Sequence, residues 1–207
     1  MKSFLIRPAL ALALAAALAG CGGSDKAEFT VAGSVYNLVY PGLKLATNGM
    51  EISVAPGAKP EDPVTYSFPN KLEYGDEYNV QITAWPEHQT CSLASNYPTN
   101  ADTAGRLAEI NVQYTCAINT RTIGGTVSGL TVDGLVLANG STGGTVTLAK
   151  DVTSYAFGLP VAYNQTYGVT VLTQPAGLTC SVANPTGTMG DDNVTNINIA
   201  CTPNAQT

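Results

Sequence analysis

The chain has 207 residues, of which 12% are charged and 44% are hydrophobic, and its formal net charge is -6. This length allows one or two domains that bury a core, and so few charges among so many apolar residues are not typical of a disordered chain. Because a negatively charged surface repels a polyanion, nucleic acid is not expected as a partner.

An apolar segment begins the chain. Lys2 and Arg7 precede a run over residues 8–18 that is mostly alanine and leucine. A membrane-spanning helix needs about 20 apolar residues, so this run is too short to be one. Residues 1–20 are therefore predicted to be an export signal peptide, and residues 21–27 a tether to the folded chain.

The end of this segment, Leu18-Ala19-Gly20-Cys21, resembles the lipobox of bacterial lipoproteins. The resemblance implies cleavage before Cys21, a diacylglycerol on its sulfur and an acyl chain such as palmitate on its amino group. Two or more acyl chains anchor a protein stably to a bilayer. Gly22 follows the cysteine, as in the outer-membrane sorting class of enteric-type bacteria. The alternative is an ordinary secretory signal with a chance cysteine.

The rest of the sequence contains an internal repeat. The segments that correspond are 31–35 with 123–127, 66–68 with 155–157, 74–91 with 163–180, and 111–116 with 196–201. Self-similarity at a fixed spacing indicates tandem copies of one structural unit. Two domains are predicted, at 28–117 and 118–207.

Within each copy, apolar and polar residues alternate with a period of two, which is typical of half-buried strands. Seven short strands are predicted per copy, in the first at about 29–36, 43–47, 50–55, 63–68, 78–84, 91–94 and 109–116. No helix is expected after the signal peptide. This pattern favours an all-β chain of two immunoglobulin-like β-sandwiches, and a partly open barrel is the alternative.

Three segments of the second copy carry a family resemblance. Residues 124–130, 174–180 and 193–201 resemble repeats of surface or periplasmic lipoproteins of Gram-negative bacteria, which look immunoglobulin-like. The resemblance covers residues 119–201, and the first copy matches it less well. It implies a scaffold and a location, and it brings no catalytic residues.

Four cysteines remain when Cys21 is assigned to lipid. The repeat selects the pairs Cys91–Cys116 and Cys180–Cys201, because each copy then has its own disulfide. If each pair faces across an antiparallel hairpin, Leu93 opposes Tyr114 and Val182 opposes Ile199, and the hairpin tips fall near 102–105 and 190–191. Such disulfides need an oxidising compartment. The cysteine spacing does not suit zinc, and neither a metal nor a cofactor is expected.

The only histidine of the sequence is His88, so any Ser-His-Asp or Cys-His catalytic device would have to use it. It lies in a polar loop, and the chain has no G-x-S-x-G motif. Glu73, Asp76 and Glu77 form an acidic cluster that the second copy lacks, for which a charged turn is the first interpretation and calcium binding the second. The protein is not expected to be an enzyme.

A comparison of the two copies sorts the remaining residues. Tyr66, Tyr74 and Tyr78 recur in the second copy, so they are expected to be structural, as buried rings or corner hydrogen bonds. The residues found in one copy only are candidates for binding or for a domain junction: Tyr36, Tyr40, Trp85, His88, Tyr97, Asp191 and Asp192. The 85–90 loop is expected to face the second copy, with Trp85 packed at the junction near Asp191 and Asp192.

These observations predict a monomeric, lipid-anchored protein of the cell envelope, on the outer membrane at its periplasmic face or at the cell surface. Its expected role is that of a structural or adhesion-like binding module with a protein or glycan ligand. Two alternatives are a passive stalk and a carbohydrate-active hydrolytic lipoprotein.

Overall fold

A computed structural model describes residues 27–97, 99–107 and 109–205. The predicted signal peptide, the lipidation site Cys21 and all of the tether but Ala27 lie outside these residues. In the described part of the chain, no helix has the length and apolar character needed to cross a membrane.

The described residues of the first repeat form two sheets. Its strands are β1 (Glu28–Tyr36), β2 (Leu43–Thr47), β3 (Met50–Val54), β4 (Val64–Glu73), β5 (Glu77–Asn79), β6 (Gln81–Ala84), β7 (Gln89–Leu93), β8 (Ala101–Thr103) and β9 (Ile110–Ile118). One sheet has the order β4-β1-β9-β7. The other has the order β3-β2-β6 and continues as the β5-β8 pair, because only Val80 separates β5 from β6.

The second repeat has the same arrangement. Its strands are β10 (Thr120–Arg121), β11 (Gly124–Ser128), β12 (Leu135–Asn139), β13 (Thr145–Leu148), β14 (Ser154–Ala156), β15 (Val161–Ala162), β16 (Thr166–Thr173), β17 (Leu178–Val182), β18 (Thr186–Thr188) and β19 (Ile199–Pro203). Its two main sheets have the orders β14-β11-β19-β17 and β13-β12-β16-β18, and β10 pairs with β15.

Both repeats place an early strand in parallel beside the last strand. Tyr36 of β1 pairs with Thr115 of β9, and Ser128 of β11 pairs with Ala200 of β19. The predicted fold class, all-β with two tandem immunoglobulin-like sandwiches and one disulfide in each, is confirmed. The boundary between residues 117 and 118 stays a prediction; β9 extends to Ile118 and β10 begins at Thr120.

Each sandwich has its own core because the strands alternate in burial. In β9, Ile110, Val112 and Tyr114 are buried, while Asn111 and Gln113 between them are directed outward, as the two-residue period of a strand requires. The buried residues form one cluster in each repeat, and both sheets of the repeat contribute side chains to it. The two repeats are therefore separate packing units.

The disulfides form as predicted, between Cys91 and Cys116 and between Cys180 and Cys201. The predicted register is also confirmed, because Leu93 pairs with Tyr114 and Val182 pairs with Ile199.

The predicted hairpin tips are wrong. Residues 101–103 form β8, which pairs with β5 of the opposite sheet, and residues 186–188 form β18, which pairs with β16. The chain thus crosses the sandwich between the two cysteine-bearing strands. The crossing stabilises the structure because it extends the second sheet and covers the core with one more strand.

The recurring tyrosines have different environments. Tyr66 and Tyr78 are buried, as expected, and burial raises the pKa of both phenols. Tyr74 is 74% exposed, so its prediction as a buried ring is wrong. It follows β4 directly and lies against Gly105 at the surface rather than inside the sandwich.

Candidate functional site at the junction of the repeats

At the end of the first repeat that meets the second, the side chain of Gln89 holds the backbone of a loop in place. Its side chain is only 2% exposed, and its Oε1 accepts hydrogen bonds from the backbone N–H groups of Val39 and Tyr40, at 2.8 and 2.9 Å. Its Nε2 donates to the carbonyl of Asn37 at 2.8 Å. A buried amide satisfied in this way fixes the loop, because breaking these bonds would leave buried polar groups without partners. Tyr40 is therefore held beside the loop that precedes β7.

His88 has a left-handed backbone conformation, with φ at 56°. The corresponding residue of the second repeat is Gly177, with φ at 73°. Glycine adopts this conformation freely, whereas a residue with a Cβ is uncommon there. The first repeat thus accepts a small backbone cost in order to place an imidazole at this turn, which indicates a role for the side chain.

Three aromatic rings meet at this turn. The imidazole of His88 stacks on Tyr163 of the second repeat, with ring centroids 3.6 Å apart and planes at 5°. Tyr40 meets both rings edge-on, at 5.1 Å from His88 and 5.6 Å from Tyr163. Stacked and edge-to-face pairs each contribute about 0.5–1.5 kcal/mol beyond the area they bury.

A carboxylate of the second repeat completes the group. Nδ1 of His88 donates to Oδ1 of Asp191 at 2.7 Å, since an ionised carboxylate only accepts. The carboxylate is about half exposed, so this pair is worth at most about 1 kcal/mol by itself. Tyr40, His88, Tyr163 and Asp191 are called the junction cluster below.

The connector between the repeats is tied to the same turn. The N–H of Asn119 donates to the carbonyl of His88 at 2.8 Å, and the N–H of Tyr163 donates to the carbonyl of Asn119 at 2.9 Å. The hydroxyl of Thr90 donates to Oδ1 of Asn119 at 2.8 Å. Nε of Arg121 donates to the carbonyl oxygen of Asp191. The chain direction at the connector is thus set by backbone bonds as well as by side chains.

The structure places the predicted candidates in several locations. His88, Tyr40 and Asp191 come together in the junction cluster, while Asp192 is exposed next to it. Trp85 is 54% exposed, and within the described residues its side chain has no hydrogen bond or ring contact. The packing of Trp85 at the junction stays a prediction, whereas His88 contacts the second repeat directly, where the backbone turns into β7. Tyr36 lines a groove on the first sheet, and Tyr97 lies in the neighbouring loop.

Sequence reasoning missed three members of this site. Tyr163 was grouped with Tyr74 as a recurring, structural residue, although only its partners in the other repeat give it a role. Nothing in the sequence singled out Asn119 or Arg121. A signal did exist for Gln89, because the second copy has Leu178 at this buried position, and a buried amide in place of leucine indicates a specific hydrogen-bonding duty.

The acidic cluster of the first repeat is part of a turn. Oδ2 of Asp76 accepts a hydrogen bond from the N–H of Glu73 at 2.8 Å. Glu77 and Asp102 line an open groove of about 530 Å³ beside Tyr78 and Asn48. Across the described ranges, no three His, Cys, Asp or Glu side chains are grouped closely enough to hold a metal ion.

No protein-family model matches the sequence, and no curated protein matches it. Among solved structures, the Bacillus anthracis TIE protein is similar over 83% of this chain, with a TM-score of 0.43 and 12% identity. The chain covers 34% of that protein, about a third of its length.

Two pilins are also similar to this chain. The shaft pilin spaA from Lactobacillus rhamnosus GG is similar over 87% of this chain and 100% of its own, with a TM-score of 0.31 and 10% identity. A streptococcal ancillary pilin is similar over 87% of this chain and 64% of its own, with a TM-score of 0.27 and 14% identity. Similarity at this level assigns neither a ligand nor an activity.

Proposed function

We propose that this protein is a non-enzymatic, lipid-anchored module of the cell envelope, in which two coupled sandwiches form a structural arm that presents a binding surface. The two disulfides support an extracytoplasmic location, because such bonds persist in oxidising compartments. The lipobox resemblance at Cys21 supports an anchor on the outer membrane, and the short tether would keep the first repeat near the bilayer.

The junction cluster is the observation that carries the proposal. A flexible pair of domains needs only a linker, whereas here a ring stack, a side-chain hydrogen bond and backbone bonds converge on one turn. Relative motion is the usual expectation for two domains whose interface is not large and hydrophobic. In our proposal, the contacts that converge on this turn oppose that motion, so the junction cluster restricts bending between the repeats, as an arm that presents a surface needs.

A second candidate function is a passive spacer, and the far end of the second repeat favours it. Gly177 stands where the first repeat has His88, and a Cβ added there would meet nothing within 4 Å. The framework of the turn is nevertheless kept: the N–H of Asn204 donates to the carbonyl of Gly177, as Asn119 does to His88. This end thus has the scaffold of the junction without its aromatic contacts.

Membrane extraction and fractionation test the anchor. The full chain should be recovered with membranes, with a mature N-terminus at Cys21 and added acyl mass by intact mass spectrometry. A Cys21→Ser chain should appear in the soluble fraction. A mature chain that begins at Cys21 without acyl mass would contradict the lipid anchor.

Small-angle X-ray scattering tests the coupled arm. His88→Asn keeps a residue that tolerates the left-handed conformation but removes the ring stack. The ensemble of conformers fitted to the scattering should therefore span a wider range of maximum dimensions. Trp85→Gln, which introduces the residue found at the same place in the second repeat, is the matched control and should leave the scattering unchanged. Equal scattering of His88→Asn and the unmodified chain would show that the junction cluster does not restrict bending.

A further inference from the structure

A groove of about 380 Å³ lies on the outer face of the first sheet of the first repeat. Its polar lining consists of Tyr36, Ser92, Ser95, Asn96, Gln113 and Thr115, and Leu93 and Ala94 complete it. None of these residues belongs to the junction cluster. Tyr36 is one of the residues that the second repeat lacks.

The strand register explains why these side chains meet. Tyr36 of β1 pairs with Thr115 of β9, and Thr115 pairs with Ser92 of β7. All three side chains point away from the core, because Val35, Cys116 and Cys91 beside them are buried. A row of one aromatic ring and two hydroxyl groups thus crosses three adjacent strands.

The loop after β7 provides one wall of the groove. In the first repeat seven positions separate Leu93 of β7 from Ala101 of β8, whereas three positions separate Val182 of β17 from Thr186 of β18. Ser95 and Asn96 of the first-repeat loop line the groove. The N–H of Tyr97 donates to the carbonyl of Ala94 at 2.8 Å and holds the loop in a turn.

The described residues of the second repeat do not carry the same row of side chains. Ser128, Ala200 and Ser181 stand at the positions of Tyr36, Thr115 and Ser92. The aromatic ring of Tyr36 and the hydroxyl of Thr115 therefore have no counterpart there. The second repeat's counterpart of Gln113 is Asn198, whose Oδ1 already accepts from the N–H and the hydroxyl of Thr126. The repeat framework therefore does not require the groove, which is an addition to the first copy.

The polar side chains of the groove are available to a ligand. Among the described residues, the side chains of Tyr36, Ser92, Asn96, Gln113 and Thr115 have no hydrogen-bond partner in the protein. They offer hydroxyl groups and two amides, which both donate and accept. Specific sites combine an apolar surface with a few such groups.

We propose that this groove binds a neutral saccharide. The lining has an aromatic ring to pack against the C–H face of a sugar ring, and hydroxyl and amide groups to bond its hydroxyls. No charged residue lines the groove, so an acidic glycan or a charged peptide would find no ion pair there. The inference deepens the proposed function, on which it rests for the idea that the arm presents a binding surface.

Saturation-transfer NMR on the full chain in lipid nanodiscs tests this site. The probes are the methyl glycosides of glucose, galactose and N-acetylglucosamine and their β-linked disaccharides, together with the blocked peptide Ala-Pro-Ala-Pro. At least one saccharide should show transfer to its ring protons. Tyr36→Ser, which introduces the residue of the second repeat, should weaken its affinity about tenfold, and Tyr36→Phe should retain most of it.

Two further variants separate binding from folding. Gln113→Ala removes a half-buried amide that makes no hydrogen bond to the described residues, so it should also weaken the saccharide signal, with an unchanged thermal midpoint. Tyr74→Ser removes an exposed tyrosine of the same repeat that lies outside the groove, and it should leave the signal unchanged.

The proposal is overturned if no saccharide shows transfer, if Tyr36→Ser retains the full signal, or if only the peptide binds in a Tyr36-dependent way. A Cys21→Ser chain that leaves the membrane but still shows Tyr36-dependent saccharide transfer would support the site. A failure of the lipid anchor is thereby distinguished from a failure of the binding site.

Discussion

The hydroxyl of Tyr66 donates a 2.8 Å hydrogen bond to the carbonyl of Val112, and it reaches that carbonyl across Gly33 on the strand between them. The second repeat builds the same contact, from Tyr155 to Ile197 at 2.9 Å. Gly125 takes the place of Gly33 beside this second pair. The motif links β1, β4 and β9 in the first repeat, and β11, β14 and the segment just before β19 in the second. It explains why a glycine recurs inside a strand, where glycine is otherwise unfavourable.

Gly33→Ala should strongly destabilise the first repeat. The added Cβ would lie 1.8 Å from the oxygen of Val112 and 2.6 Å from the hydroxyl of Tyr66, so backbone would have to move. We expect a loss of about 3 kcal/mol or more in the free energy of unfolding, at the upper end for overpacked sites. Urea unfolding followed by circular dichroism would measure it.

Gly158→Ala is the control for this substitution. A Cβ at Gly158 meets nothing within 4 Å, and its φ is not in the left-handed region. The free energy of unfolding should stay the same or rise by up to about 1 kcal/mol. Equal effects of the two alanines would contradict the steric account of Gly33.

Gln89→Leu should destabilise the first repeat and release the Tyr40 loop. The substitution introduces the residue that the second repeat has at Leu178, but it leaves the N–H groups of Val39 and Tyr40 without their acceptor. We expect a loss of about 2–3 kcal/mol, since each unpaired, partly buried group costs about 1–3 kcal/mol. Hydrogen exchange at Val39 and Tyr40 should accelerate.

Gln113→Leu on the same sheet is the matched comparison for Gln89→Leu. Its side chain makes no hydrogen bond to the described residues, so its effect on stability should be within about 0.5 kcal/mol. Unchanged exchange at Tyr40 in the Gln89→Leu protein would refute the positioning role of Gln89.

The buried tyrosines predict unfolding at alkaline pH. Burial raises the pKa of Tyr155 to about 12, and it also raises the pKa of Tyr66 and Tyr114. The unfolded chain ionises near its ordinary pKa of about 10, so it releases protons before the folded chain does. The stability that Tyr155 contributes is complete below pH about 10 and is lost as the pH rises through about 12.

A chemical-denaturation series between pH 8 and about 12.5 would show this loss. Tyr155→Phe should be less stable at neutral pH, because the hydrogen bond to Ile197 is lost, but its stability should fall less steeply above pH 10. An equal slope in the two proteins would show that Tyr155 does not contribute to the pH dependence.

Removal of the Cys91–Cys116 disulfide should destabilise the first repeat by about 3.5 kcal/mol, the chain-entropy value for its separation of 25 residues. The separation of 21 residues for Cys180–Cys201 predicts nearly the same loss in the second repeat. Double serine variants of each pair, unfolded in urea, would measure both. Because each disulfide lies in a different core, the two losses should be independent, and strong coupling between them would contradict separate packing units.

Much of the fold could be predicted because strand patterns are local. Alternating residues such as those from Asn111 to Cys116 define their own inward and outward faces, and the repeat doubles each signal. The strands β8 and β18 escaped prediction because three residues with little apolar character, such as those from Ala101 to Thr103, carry almost no periodicity. Their pairing is decided by the sheet edge they meet.

The candidate sites depended more on the tertiary structure. The comparison of copies brought forward His88, Tyr40, Asp191 and Tyr36, since each is unique to one repeat. It did not single out Tyr163, because that tyrosine recurs in the first repeat as Tyr74. Recurrence shows that a residue suits the framework, but its neighbours in the other repeat determine what it contacts.

The sequence by itself determined two β-rich copies, a disulfide in each, the register between the cysteine-bearing strands and a lipobox-like N-terminal segment, because these features depend on short-range patterns or on the match between copies. Only the tertiary structure decided that His88 meets Asp191, a residue 103 positions away, and that Tyr36 shares a groove with Thr115 and Ser92. Such contacts depend on strand order and on the turn that joins the repeats. A local sequence pattern does not determine which distant residues come into contact.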